Sequence, residues 1–363
     1  MLIKELKSRS CFLFLLLLSA VVVAPAQTVR VGVFGLFRPS ELRLSPAPGN
    51  VLILVVGSRT QVLEGTGSPP EARIEIVGDQ IRMAFGSEVL LSRTIRASSR
   101  DGAPAEFFLA VPDKIRRRFQ GTLEIRMENR TLVPVVSMDL EAAVASAVAA
   151  ESPPGAPPEA LKAQAVATRS YFVAARGRHT SFDFCDTTHC QFLREPPSTR
   201  DPAFLATTAT RGIVLAYGQK PFAALYSSSC GGRTRTLAEL GIETRDYPYF
   251  PVACSYCQRH ASTWRTELSS ASAAPLLKSP SEGSRVTVGR KLGWSAVPSN
   301  SYELRREGER VIIEGAGHGH GVGLCQRGAS GIAAAGADFQ TILEHYYPNT
   351  TLMLRSAPFA ARF

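Results

Sequence analysis

Two sulfurs and two imidazoles fall within a short stretch at His179-x5-Cys185-x3-His189-Cys190. That donor set matches a closed tetrahedral zinc site with no coordination position left for a substrate, so the expected metal is structural. A Cys185–Cys190 disulfide beside solvent-exposed histidines is the competing arrangement in an oxidising compartment. A second group, Cys254-x2-Cys257-x2-His260, can take a metal together with Cys230 or close a Cys254–Cys257 disulfide. Its spacing leaves both open. Glu151 ends an alanine-rich segment ahead of Pro153-Pro154, so its carboxyl is expected to be partly desolvated. Desolvation raises a carboxyl pKa and lets it donate a proton near neutrality. Taken alone, a glutamate at a helix end is more commonly exposed.

Two further stretches carry polar groups at glycine-rich turns. Tyr226-Ser227-Ser228-Ser229-Cys230-Gly231-Gly232 lacks the G-x-S-x-G elbow of a serine nucleophile and better suits the lining of a saccharide groove. Gly317-His318-Gly319-His320-Gly321-Val322-Gly323 lacks the Lys-Ser/Thr of a phosphate loop, while its glycines allow backbone to approach a ligand closely.

Positioning these groups calls for an α+β chain with a β-rich N-terminal lobe over 27–138 and a mixed α/β lobe over 139–363. In the first lobe VRVGVF, NVLILVV, ARIEIVG, IRMAF, EFFLAV, GTLEIRMEN and LVPVVSM read as strands between short polar connections. Asp139 then caps a helix through DLEAAVASAVAA, and Pro157-Pro158 opens another that closes at Gly177. On that second helix Lys162, Val166, Arg169 and Val173 share one row, so Lys162 and Arg169 are expected to point the same way. GIVLAYG and FAALYSSSCGG read as strands, ELRREGERVIIEG as a hairpin and ADFQTILEHYY as a last helix. A small variable segment is expected near 262–312.

The motifs from Leu140 onward stand in a recognisable order: LEAAVASAVAAE, EALKAQAVATRSYF, FDFCDTTHCQ, ALYSSSCGG, GHGHGVGLCQRGA and ILEHYYP. Through them the chain resembles the stage II sporulation protein D family, which includes the amidase-enhancer proteins, from Leu140 to Pro348. The resemblance implies a catalytic lobe of that type and a peptidoglycan lytic transglycosylase, cleaving MurNAc–GlcNAc glycan strands to 1,6-anhydromuramic ends. Glu151 matches the family's catalytic glutamate. It would serve as acid and then base, the sugar's own 6-hydroxyl being the nucleophile, which accounts for the lack of an obvious second carboxylate. Lys162 and Arg169 fall where the family has polar groups important for activity, and are expected to face a cleft and hold muramic or acetamido groups. Tyr226, Ser228, His320 and Gln326 are expected along the glycan groove. Some members carry zinc at the motif formed here by His179, Cys185, His189 and Cys190. The family often has histidine in place of Ser227 and serine in place of Cys325, which is expected to be a free thiol. The rival reading is a non-catalytic cell-wall binding protein that stimulates a murein amidase. A zinc hydrolase acting on the cell-wall peptide would need an open metal position.

Composition sets the compartment. Lys4, Lys7 and Arg9 precede the apolar run Cys11–Val23, and Ala24-Pro25-Ala26 supplies a cleavage site, the anatomy of a secretory signal peptide over 1–26. The run is shorter than the roughly 20 residues a bilayer needs. No transmembrane span is therefore expected after cleavage, and the destination is the periplasm or cell wall. Removing the peptide lowers the net charge of +10 by two and leaves a surplus that favours a polyanionic partner. No nucleic-acid-binding signature is present, so an anionic wall or membrane surface is the expected one.

Overall fold

The computed structural model describes residues 27–64, 71–243 and 246–355; the expected signal peptide falls outside the described residues. No helix among the described residues is long and apolar enough to cross a membrane.

The N-terminal part is a strongly curled sheet whose strands alternate buried and less buried side chains, as in Ala105–Val111, where every second residue is half-buried. Such alternation lets one face of a strand enter a core while the other meets water. All seven strands read from the sequence of this region are present. Four more, Glu41–Pro46, Arg59–Glu64, Glu88–Ser92 and Thr94–Ser98, were not anticipated. Thr28–Gly32 runs antiparallel to Thr131–Asp139 and parallel to the short Phe184–Cys185, so the cysteine–histidine loop is built onto this sheet.

Thr131–Asp139 leads directly into helix α1 (Leu140–Glu151), whose N-cap Asp139 accepts the Glu141 and Ala142 N–H groups. The boundary expected at 138–139 is thus a strand-to-helix junction, and Val144, Ala147 and Val148 of α1 share one core with the sheet. Helix α2 (Pro158–Ala174) begins at its proline as expected and is buried along almost its whole length. Leu161, Ala165 and Phe172 enter the first core. Ala160, Ala163, Val166 and Ala167 enter a second, built with residues 215–257 and 322–347. α2 is the wall the two cores share.

Helix α3 (Pro202–Ala209) packs on α1 and α2. α4 (Ser255–Arg259) is followed by a small unit over 263–316, where α5 (Ser270–Lys278) and α6 (Glu282–Leu292) cover a three-stranded sheet. This unit has its own core of Ala273, Leu276, Val288, Val311 and Ile313. The expected hairpin is its strand pair Tyr302–Glu307 and Arg310–Ala316. FAALYSSSCGG forms far less strand than its apolar start suggests. Within it only Tyr226–Ser227 pairs as strand, parallel to Leu324–Cys325. α7 (Gln326–Ala334) and α8 (Phe339–Tyr346) close the second core against α2.

Candidate active site

Glu151 is the last residue of α1, and three segments converge on it. The Phe192 N–H donates to its carboxyl Oε1 at 2.6 Å. The Tyr226 hydroxyl also hydrogen-bonds the carboxyl, and it donates to Gln191 Oε1 at 2.5 Å. Gln326 donates its side-chain amide to the Glu151 main-chain carbonyl at 2.9 Å, satisfying an acceptor that the end of a helix leaves open. Burial raises the Glu151 carboxyl to about 7, although the bonds from Phe192 and Tyr226 pull it down. Near neutrality the group can both give and take a proton.

The elements around it explain the fit. Ser146 on α1 exchanges hydrogen bonds with the Arg194 backbone, which lays residues 192–194 along the helix. Gln191 and Phe192 directly follow Cys190, so the cysteine–histidine loop delivers the groups that hold Glu151. Its own acids are committed elsewhere: Asp183 accepts the Arg30 N–H, and Asp186 accepts the Phe34 N–H and pairs with Arg117 at 3.0 Å. Gln191 was not singled out from the sequence, although it ends the motif FDFCDTTHCQ. Nothing in its type marks it as the partner of a tyrosine.

His179, Cys185, His189 and Cys190 bring four ligand atoms within 4.8 Å of one another. His179 Nε2 is 3.3 Å from Cys190 Sγ, and His189 Nδ1 is 3.6 Å from both sulfurs. A tetrahedral zinc with bonds of about 2.0–2.3 Å sets its ligand atoms ~3.3–3.8 Å apart. Both cysteines are free thiols, and the Cys190 contact holds the Cys185 thiol down at about 3. The donor set and its spacing fit the metal.

The remaining expected site residues divide. Tyr226 and Gln326 are buried and act on Glu151 itself. His320 is half-buried, and its Nδ1 accepts the Val322 N–H at 3.1 Å while the ring also bonds the Tyr226 backbone. Burial lowers its pKa, which favours the neutral ring. Ser228 is exposed beside Tyr226 and Ser227. Lys162 pairs with Glu159 at 2.6 Å, and the other oxygen of that carboxylate takes the Phe339 N–H at the start of α8.

Arg169 does not face a cleft. Only 1% of it is exposed. Its guanidinium forks onto both Glu141 oxygens at 2.8 and 2.7 Å and donates to the Ile213 and Thr207 carbonyls. Val166 and Val173 of the same helical row are core residues too. Glu141 lies ten residues before Glu151, about 15 Å along the helix. Arg169 therefore clamps the far end of α1 and does not touch a ligand at Glu151.

A stage II sporulation protein model matches residues 128–217, the segment that runs from the last strand of the curled sheet through α1, α2 and the cysteine–histidine loop. An uncharacterised protein of Brachyspira hyodysenteriae is 29% identical over 262 residues, covering 63% of this chain and 70% of that one. Stage II sporulation protein D of Bacillus subtilis is 26% identical over 263 residues, covering 60% and 75%. Over these residues the chain is similar to the stage II sporulation protein D family. The Amidase enhancer of Bacillus subtilis is 38% identical over 61 residues, which are 17% of this chain and 9% of that protein. The matched segment carries Glu151, the residue on which the hydrogen bonds converge.

Two expectations follow from this geometry. Breaking one partner of a buried ion pair typically costs about 3–5 kcal/mol, whereas replacing both with apolar groups can be nearly neutral. Arg169→Met should therefore lower the urea midpoint sharply, and adding Glu141→Met should restore much of it. A single variant of wild-type stability but without activity would return Arg169 to the cleft. For Glu151, the folded pKa of about 7 lies above the ordinary 4.5. Between those values the folded protein keeps a proton that the unfolded chain has released, so this group's contribution to stability falls as pH rises through that window. The loss is bounded at roughly 3 kcal/mol. Glu151→Gln should gain thermal stability over wild type as pH moves from 5 to 8; equal melting curves at both pH values would contradict the raised pKa.

Proposed function

We propose that this protein is a peptidoglycan lytic transglycosylase of the cell wall with Glu151 as its single general acid and base. The observation that carries the proposal is the convergence on one half-buried carboxyl: Phe192 fixes one oxygen, Tyr226 bonds the group, and Gln326 holds its backbone. In the reaction the protonated carboxyl gives its proton to the glycosidic oxygen as the bond to C1 of N-acetylmuramic acid breaks. The 6-hydroxyl of that same sugar then bonds to C1 and returns its proton to Glu151. Atoms and charge balance, the acid is regenerated, and intramolecular attack supplies an effective molarity that water lacks. The other acids of α1 and α2 are occupied, Glu141 by Arg169 and Glu159 by Lys162.

Two buried polar atoms without a protein partner among the described residues, Gln164 Nε2 and Ser227 Oγ, suit hydroxyl or acetamido groups of a glycan. Gln164 accepts from Ser152, which follows Glu151, and Ser227 follows Tyr226. An open depression of about 440 Å³ lined by Arg116, Arg117 and Arg194 also borders Ala149 and Ala150, just before Glu151. Glu195 and Asp201 line it as well and Arg117 is paired with Asp186, so Arg116 and Arg194 are the groups suited to the lactyl carboxylates of strands stripped of stem peptides. The second reading is a non-catalytic module that stimulates a cell-wall amidase, favoured by the short match to the Amidase enhancer.

Purified protein incubated with denuded glycan strands should release fragments with 1,6-anhydromuramic ends, read by mass spectrometry. The rate should decline as pH rises above about 7, because the first step needs the proton on Glu151. Glu151→Gln should lose at least the ~10²–10⁴-fold typical of general acid–base catalysis. Reducing ends would instead indicate hydrolysis. Intact strands, with stimulation of an added amidase, would favour the binding module.

Zinc held by His179, Cys185, His189 and Cys190 would be structural, fixing the loop that presents Phe192 to Glu151. Cys190→Ser should remove about one zinc per chain and lower thermal stability and glycan cleavage together. A Cys185–Cys190 disulfide in the metal-free native protein would sink this assignment.

A further inference from the structure

The second cysteine group is not the one suggested by the C-x2-C-x2-H spacing. His260 is exposed and stacks on Tyr256, its ring centroid 4.4 Å away. The sulfurs of Cys230, Cys254, Cys257 and Cys325 instead all lie within 4.8 Å of one another. Cys325, expected to stand as a free thiol, completes the set. All four residues are buried, none more than 2% exposed. We propose that these four cysteines bind one zinc ion as a closed tetrathiolate, a second structural metal site independent of the one at His179–Cys190.

Geometry favours a metal over disulfides. Cys257 and Cys325 Sγ are 3.5 Å apart, far beyond the ~2.05 Å of a disulfide and close to the ~3.8 Å edge of a zinc–sulfur tetrahedron. The surroundings also suit sulfur that carries negative charge. The Cys230 and Gly328 N–H groups both point at Cys325 Sγ at 3.3 Å. The Tyr346 hydroxyl lies 3.3 Å from Cys254 Sγ, and Ser229 Oγ lies 3.7 Å from Cys257 Sγ. Such hydrogen bonds orient ligands and offset the charge of a metal thiolate centre. Room for this shell is made by Gly328. A Cβ there would lie 2.5 Å from Cys254 Sγ and 2.0 Å from the Tyr346 hydroxyl. Four sulfurs leave no coordination position open, and the apolar core around them admits no substrate, so the site is structural.

Its place in the fold states what it does. Cys325 pairs with Ser227 and caps α7, whose first residue is Gln326; Cys230 lies four residues after Tyr226. One ion would thus join the segments that supply Tyr226 and Gln326 to Glu151, closing chain loops as long as the one between Cys230 and Cys325, which stand 95 positions apart. Because no such closure exists in the unfolded chain, binding energy becomes folding energy.

The full chain, purified without chelators and analysed by elemental mass spectrometry, should hold about two zinc ions, one at each closed site. Cys257→Ser should lose one and keep the other, while Cys185→Ser should show the complementary loss. Cobalt substitution guards against a misfolded variant. The sulfur-to-cobalt charge-transfer band of wild-type protein should correspond to six thiolates, and Cys185→Ser/Cys190→Ser should retain the four of the tetrathiolate. Peptide mapping that finds these four cysteines paired as disulfides would overturn the proposal. So would an unchanged zinc content in Cys257→Ser, or an iron chromophore in place of zinc.

Discussion

A buried guanidinium is the constraint around which the helices of the second half are arranged. Arg169 lies inside α2 with almost no exposure, so its charge must be met by protein. Moving such an ion out of water costs several kcal/mol unless its hydrogen bonds are nearly all satisfied. Glu141, the Thr207 carbonyl and the Ile213 carbonyl meet them, and Glu141 also accepts the Gly212 N–H. These partners come from α1, α3 and the strand after it. Satisfying one charge therefore fixes the mutual positions of three elements, and the direction of α1 decides where Glu151 stands.

α1 carries a glutamate in its first turn and another as its last residue, in opposite electrostatic surroundings. The helix dipole favours negative charge at Glu141 and disfavours it at Glu151. Glu141 has an arginine to hold, so its carboxylate serves the fold. Among the described residues no cation hydrogen-bonds the Glu151 carboxyl, and burial lifts its pKa to about 7. One short helix thus sets two chemically identical side chains to different work. The alanine-rich interior between them lets α2 and α3 pack closely, so the axis joining them is held on both sides.

What the sequence disclosed and what it withheld follow the reach of each signal. Asp139 and Pro158 announce helix starts through local backbone chemistry, and both helices begin where those residues say. The Cys/His loop is legible because its four donor residues lie within twelve positions. Glu41–Pro46 and Arg59–Glu64 were missed because charged residues break their apolar pattern, although cross-strand ion pairs such as Arg73 with Glu41 accommodate those charges. Arg169 was misread because helical periodicity shows that residues share a face without showing what covers it. Cys325 was missed as a partner of Cys257 because 68 positions separate them. The two meet where α4, which carries Cys257, packs on α7, which Cys325 caps. Gln191 and Phe192 could not be weighed from residue type, since one contributes a commonplace amide and the other only a backbone N–H.

The pairing of Thr28–Gly32 with Phe184–Cys185 bears on the order in which the molecule is made. The strand that leads the described chain is paired on one side by residues about a hundred positions later and on the other by residues about 150 positions later. Contacts so distant along the sequence form slowly, because loop closure must precede any gain from the contact. During synthesis this strand waits with both edges open until Asp139, and then Cys185, has emerged. Glu151 emerges between those two events. Its carboxyl thus remains without the Phe192 N–H until the last edge is closed, and assembly of the site is deferred to a chain that already has its sheet.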